Sequence, residues 1–195
     1  MTEIEIRGKL TSTKFTELFE LLTKKGELSD HYHRLSVDIS PGFDPQTKTW
    51  KNSSGTDIRL KKSGDKEKLS IKTGDFKDKE RKEVEIKLVT GQFLSSLDFL
   101  ESLGYSSGMI YFWESWEFNY LGVEIKLSKY TEDYFTFEVE GKENSDVDLI
   151  ASKLGLTPYT NDEYRTAIDW ENQNIHRLYS RKIVEKVLKE NFQAA

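Results

Sequence analysis

Glu3-Ile4-Glu5-Ile6-Arg7 alternates charged and apolar residues without a break. In an extended chain successive side chains leave on opposite faces, so a period of two predicts a strand with one charged and one apolar face. Moving outward, the same period returns along the chain. His33 to Ile39 places Leu35, Val37 and Ile39 on one face. Asp57-Ile58-Arg59-Leu60-Lys61 follows, then Lys68-Leu69-Ser70-Ile71-Lys72 after the turn Ser63-Gly64-Asp65. Glu83 to Leu88, the aromatic-rich Ile110 to Tyr120, Val123 to Leu127 and Tyr134 to Glu140 complete a set of eight predicted strands.

Helical spacing separates these strands into groups. Residues 14–25 carry Phe15, Leu18, Phe19 and Leu22 and stop at Gly26. Residues 91–103 carry Phe93, Leu97 and Leu100 between a Thr90 cap and a Gly104 stop. Residues 146–154 follow Ser145 as cap, present Val147, Ile150 and Leu154, and end at Gly155. Residues 175–192 read as an amphipathic helix through Ile183, Val184, Val187 and Leu188. The loop 40–56 is irregular, and no stretch reads as an interdomain linker. A single domain over residues 1–195 is expected, with 175–195 a C-terminal helical extension.

Composition narrows the function. With 195 residues, 32% charged and 36% hydrophobic, the chain suits one ordinary soluble domain. No apolar run approaches the roughly 18–20 residues of a membrane span, and the charged start predicts no secretory signal. Cysteine is absent, which excludes disulfides and thiolate metal sites and fits a cytoplasmic location. A net charge of −5 argues against general nucleic-acid binding. Three histidines (His31, His33, His176) argue against an imidazole-built zinc site, so any metal would be a hard, oxygen-bound ion such as Mg²⁺ or Mn²⁺.

Alternation gathers the charges by face. Glu3, Glu5 and Arg7 share one; Arg59 and Lys61 share one, as do Lys68 and Lys72; Glu83, Glu85 and Lys87, then Glu124 and Lys126, then Glu138 and Glu140 follow suit. A sheet with one face in water accounts for this with no function at all. Alternatively, about eight such strands close into a barrel. Helices then cover the apolar outside and the charges line a lumen. Confined carboxylates call for a divalent cation, and clustered Arg and Lys call for a polyanion whose phosphate oxygens match the guanidinium fork.

Glu3-x-Glu5-x-Arg7 resembles the ExExK strand of the CYTH superfamily, the triphosphate tunnel metalloenzymes, which include thiamine triphosphatases, inorganic triphosphatases and class IV adenylate cyclases. Arg59-x-Lys61 is similar to that family's RxR strand, Lys72 to its following strand lysine, Glu83-x-Glu85-x-Lys87 to its central charged strand and Glu138-x-Glu140 to its late ExE strand. The resemblance covers roughly residues 1–165. It implies an α+β fold, a closed eight-stranded antiparallel barrel with helices packed on its outside. It implies that Glu3, Glu5, Glu138 and Glu140 bind Mg²⁺ or Mn²⁺, with Glu83 and Glu85 one layer further out. Arg7, Arg59, Lys61, Lys72 and Lys87 would hold the triphosphate, joined by Lys126. Glu5, Arg7 and Lys72 are the residues expected to carry catalysis. The implied reaction is metal-dependent hydrolysis of inorganic, thiamine or nucleoside triphosphate; a class IV cyclase and a degenerate polyphosphate binder are the alternatives.

The sequence also departs from that pattern. Arg7 stands for a lysine and Lys61 for an arginine. The sixth strand, usually basic, reads Tyr111-Phe112-Trp113-Glu114-Ser115-Trp116-Glu117, and Ser128 and Lys129 fall where an acidic residue is frequent. Trp113 and Trp116 lie on opposite faces. Packing explains both, or Trp113 stacks on a base or thiazole ring at the tunnel mouth. His31 and His33 read as surface or structural residues. The run 75–83 is a solvated loop or a gathering point for polyphosphate. The C-terminal helix docks on the wall, plugs one end, or pairs with a second subunit in a homodimer.

Overall fold

The computed structural model describes residues 4–50, 56–73 and 82–192. The elements run β1 (Ile4–Leu10), α1 (Ser12–Lys25), β2 (Glu27–Asp38), β3 (Phe43–Asp44), β4 (Thr49–Trp50), β5 (Thr56–Ser63), β6 (Lys66–Thr73), β7 (Lys82–Leu88), α2 (Phe93–Ser102), β8 (Met109–Tyr120), β9 (Val123–Lys129), β10 (Phe135–Gly141), α3 (Asn144–Leu154), α4 (Asn161–Asn174), β11 (Arg177–Leu178) and α5 (Arg181–Asn191). One large sheet has the order β1-β10-β9-β8-β2-β5-β6-β7, with β11 on β8; β3 and β4 form a separate hairpin. Strand neighbours pair antiparallel, as in β1–β10, β9–β10, β8–β9, β2–β5, β5–β6 and β6–β7. The architecture is α+β. Among the described residues no helix is long and apolar enough to cross a membrane.

The chain divides into two compact units, residues 1–32 with 113–168, and residues 33–112 with 169–195. In the first, β1, β10, β9 and the second half of β8 turn Leu10, Phe137, Val139, Ile125, Leu127 and Phe118 toward α1 and α3, which supply Leu18, Leu22, Val147, Ile150 and Leu154. Each such side chain, fully buried, contributes about 1.5–3 kcal/mol. Thr11 caps α1 by accepting a hydrogen bond from the Lys14 amide (3.2 Å). Gly8 has no alternative at its position: a Cβ there would stand 2.6 Å from both the Phe137 ring and the Thr157 carbonyl oxygen. In the second unit, Leu35, Val37, Ile58 and Leu60 of β2 and β5 pack with Phe93, Leu97 and Leu100 of α2 and Val184 and Val187 of α5.

Several local expectations are corrected. Thr90 does not cap α2; its hydroxyl donates to the Asp65 carbonyl (3.2 Å), and Gln92 precedes the first turn. Ser145 lies inside α3, which starts from Glu143 in an extended conformation. The C-terminal helix begins at Arg181 because residues 177–178 are drawn onto β8 as β11. β2 starts six residues before the predicted His33, through the polar stretch from Glu27, and the loop 40–56 contains the β3–β4 hairpin. α4 carries Tyr164, Ala167 and Ile168 at helical spacing, and its start is marked by a cap. Thr160 and Glu163 form a reciprocal capping box, the Thr160 amide donating to Glu163 (2.8 Å) and the Glu163 amide to the Thr160 hydroxyl (3.3 Å).

Candidate functional site

Strand register in the first unit sets charged residues in rows. Arg7 lies opposite Glu138, Glu138 opposite Lys126, and Lys126 opposite Glu117, so β1, β10, β9 and β8 each place one charge in a single row. Two residues along, Glu5, Glu140, Glu124 and Asn119 make the next row. Neighbouring strands stand about 4.8 Å apart, within reach for side chains on one face. Glu5, Glu138 and Glu140 accordingly offer carboxylate oxygens that all lie within 4.8 Å of one another. Arg7 bonds Glu5, comes to 3.9 Å from Glu138, and donates to the Tyr164 hydroxyl, with its guanidinium 4.8 Å from the Tyr164 ring centre. Lys126 Nζ sits 3.2 Å from Glu138, 3.6 Å from Glu140 and 3.6 Å from Glu117. Tyr32 donates its hydroxyl to Glu117.

Fully ionised, the six side chains Glu5, Glu117, Glu138, Glu140, Arg7 and Lys126 carry two more negative than positive charges. Partial burial lifts the Glu5 carboxyl above its ordinary value; Arg7 opposes this, while Glu138 and Glu140 push the same way. Burial alone would lower Lys126, but the charges of Glu138 and Glu140 outweigh it and hold the ammonium protonated. The cluster is therefore under-neutralised on its acidic side and fixed on its basic side. An all-oxygen donor set of this kind fits a hard divalent ion.

The second unit has a different balance. Asp38, Arg59, Ser70 and Glu85 form one row, and Lys61, Lys68 and Lys87 another, on β5, β6 and β7. Lys68 bonds Glu85 at 3.0 Å. Arg59 is held by two buried carboxylates, Asp57 at 2.8 Å and Asp38 at 3.3 Å. The Ser40 hydroxyl bonds Asp38, reaches 3.5 Å from Asp57, and accepts the Ile58 amide at 2.8 Å. Burial raises the Asp38 carboxyl against the pull of Arg59. Tyr111 has its ring 5.9 Å from the Arg59 guanidinium carbon and 4.3 Å, edge-on, from buried His176. Burial drives the Tyr111 phenol well above its ordinary value.

Burial also lowers the His176 imidazole; Glu171 opposes this, and the charges of Arg59 and Lys48 add to it. The unfolded chain then takes up a proton that the folded chain refuses. Stability is complete above about pH 6.5 and is lost as pH falls toward the folded value. Denaturation midpoints are expected to decline below about pH 6.5, and His176→Phe should flatten that decline. Equal slopes in both proteins would show that another group is responsible.

Glu5, Arg7, Lys126, Glu138 and Glu140 are thus brought together in the first unit. Arg59, Lys61, Lys72, Glu85 and Lys87 lie in the second, with Lys87 and Glu85 exposed. Glu3, the side chain of Glu83 and most of the run 75–83 lie outside the described residues. Sequence reasoning missed Glu117, Tyr164, Asp38 and Asp57. Glu117 obeyed the same period of two and was open to reading; Asp38 becomes a partner of Arg59 only through the pairing of β2 with β5, and the Tyr164 contact is long-range and left no local signal. Trp116 packs at 5.7 and 5.5 Å against Phe15 and Phe19 and stacks on His31, which bonds Glu114 (2.8 Å), so His31 is structural. Ser115 and Ser128 share a buried hydrogen bond of 2.9 Å.

No family model and no curated protein matches the sequence. Solved structures do. A protein of Pyrococcus horikoshii OT3 superposes with a TM-score of 0.61 at 15% identity, over 83% of this chain and 93% of that one. A candidate adenylate cyclase from Bacillus halodurans gives 0.54 at 15% identity, over 83% and 95%. A candidate adenylyl cyclase from Hippeastrum, described as having a dominant triphosphatase activity, gives 0.50 at 16% identity, over 82% and 91%. A further candidate adenylate cyclase, from Vibrio parahaemolyticus, superposes with a TM-score of 0.51 at 11% identity, over 94% and 97%. At such identities the likeness speaks for the fold, and the chain shares it.

Proposed function

We propose that this chain hydrolyses a triphosphate with the aid of Mg²⁺ or Mn²⁺ held by Glu5, Glu138 and Glu140. The support is one observation: three carboxylates with oxygens within 4.8 Å of one another, flanked by Arg7 and Lys126. Glu3, two residues before Glu5 in the sequence, is proposed as a further ligand. When bound, such an ion polarises phosphate oxygens and neutralises charge that develops on them.

The chain's own residues do the rest. Arg7 presents a planar fork to two phosphate oxygens, and Tyr164 steadies that fork through its hydroxyl. Lys126, kept protonated by Glu138 and Glu140, places a point charge in the same row. Fixed charges of this kind need no reorganisation as water attacks the terminal phosphorus in line and the anhydride bond breaks. The proposal includes closure of the sheet into the eight-stranded barrel that the family resemblance implies. Arg59, Lys61, Lys72 and Lys87 are then further cations for the polyphosphate, and Glu83 and Glu85 their acidic neighbours.

Incubation with tripolyphosphate, thiamine triphosphate and ATP tests this reading. Orthophosphate release that needs Mg²⁺ or Mn²⁺ and stops with chelator is the expected result. Cyclic AMP with pyrophosphate would replace it by a class IV cyclase, and tight binding without turnover by a degenerate binder. Glu5→Gln with undiminished phosphate release would remove the carboxylate cluster from the site.

A further inference from the structure

Arg59 is held differently from Arg7. Both terminal nitrogens of Arg7 are taken, Nη1 by the Tyr164 hydroxyl and Nη2 by Glu5. On Arg59 two carboxylates meet a single atom, Nε: Asp57 at 2.8 Å and Asp38 at 3.3 Å. Strand geometry sets this. Asp57 precedes Arg59 by two residues on one face of β5, and Asp38 stands directly opposite Arg59 on β2. Among the described residues no hydrogen bond engages Nη1 or Nη2 of Arg59.

The surroundings keep this anchor still. Ser40 ties the two carboxylates together. Its hydroxyl donates to Asp38, lies 3.5 Å from Asp57 and accepts the Ile58 amide at 2.8 Å, and its own amide donates to Asp38 at 3.1 Å. The Tyr111 ring centre lies 5.9 Å from the guanidinium carbon, within cation–π range. The anchor is dry while the guanidinium reaches solvent: the side chains of Asp57 and Asp38 are 1% and 3% exposed, that of Arg59 35%.

Stability alone does not explain the arrangement. Arginine and carboxylate pair best through two parallel N–H···O bonds, which Arg59 does not make. Burying two carboxylates against one cation is costly, and a well-packed apolar group is often at least as stable. What the anchor does achieve is direction. A planar guanidinium held at Nε has its far end fixed in orientation. Two residues along the same face come Lys61, Lys68 and Lys87, paired strand to strand, so the face beside Arg59 is cationic.

We infer that Asp57 and Asp38 are positioning residues for phosphate binding: they hold Arg59 by Nε and so present its two terminal nitrogens to a phosphate group. The inference rests on the triphosphate reading above and deepens it. Neither carboxylate touches the phosphate; each acts through Arg59, and Ser40 acts through both.

Calorimetric titration of Mg²⁺-tripolyphosphate, Mg²⁺-ATP and Mg²⁺-thiamine triphosphate into the full chain finds the tightest ligand, and a double-mutant cycle is then run on it. Asp57→Asn should weaken that ligand by roughly tenfold, because the hydrogen bond that orients the cation loses its charge. Arg59→Gln should weaken it further. Combined with Arg59→Gln, Asp57→Asn should cost nothing more, since the residue it acts through is gone. Arg59→Lys, which keeps the charge and loses the fork, replaces Arg59→Gln if the two carboxylates do not tolerate a neutral partner. Losses that simply add in the double variant would make Asp57 a structural residue and overturn the inference. Undiminished affinity in Asp57→Asn would overturn it as well, and in both cases the triphosphate reading stands. Binding of none of the three ligands by the unaltered chain would end both.

Discussion

Glu138→Gln is expected to lower triphosphate turnover by roughly a hundredfold or more, because it removes a preorganised charge from the centre of the cluster. Glu138 lies 3.9 Å from Arg7 and 3.2 Å from Lys126, and one of its oxygens is within 4.8 Å of carboxylate oxygens of Glu5 and Glu140. The amide keeps the shape and the hydrogen-bonding reach but loses the charge. Metal affinity, measured by Mn²⁺ titration, should fall with turnover, since one of the three proposed oxygen ligands has become a weak one. Lys126 also loses the larger of the charges that hold its ammonium protonated. An unchanged kcat/KM with unchanged Mn²⁺ binding would place the chemistry elsewhere in the chain.

Phe137→Ala is expected to destabilise the protein by about 3–5 kcal/mol. The ring is fully buried in the core of the first unit, sandwiched between β1 and the helices. Nothing nearby can refill the space. Gly8 lies directly beneath it, but a methyl group there would also press on the Thr157 carbonyl at 2.6 Å. The loss is a large fraction of a domain's total stability of about 5–15 kcal/mol. Urea denaturation followed by tryptophan fluorescence reads it, since Trp113 and Trp116 both report on the first unit. A shift under about 1 kcal/mol would mean that the core collapses around the missing ring.

What the sequence disclosed follows from which forces are local. Period-two alternation exposes Glu5, Arg7, Lys126, Glu138 and Glu140, because a strand half-buried against helices must keep its charges on one side. The same rule found every long strand, though it placed the start of β2 too late, since Glu27 to His31 offers almost no apolar residue to count. The clamp on Arg59 was hidden for another reason. Asp57 and Asp38 look like ordinary polar positions, and only the pairing of β2 with β5 turns them into buried partners of one guanidinium. Helix α4 carries Tyr164, Ala167 and Ile168 at helical spacing and opens on its Thr160–Glu163 cap. Tyr164 reaches Arg7 across a sequence separation of 157, beyond any local signal.

The pairing of β1 with β10, Glu5 against Glu140 and Arg7 against Glu138, ties the chemistry to the fold's correctness. An insertion of one residue in the connection before β10 would slide that strand by a single step. Glu138 and Glu140 would turn in among the leucines of α1 and α3, and Phe137 and Val139 would come out among the ions. Such a molecule would lose its carboxylate cluster and its hydrophobic centre in the same event. The phase between β1 and β10 is therefore fixed, with Glu5 kept opposite Glu140 and Arg7 opposite Glu138.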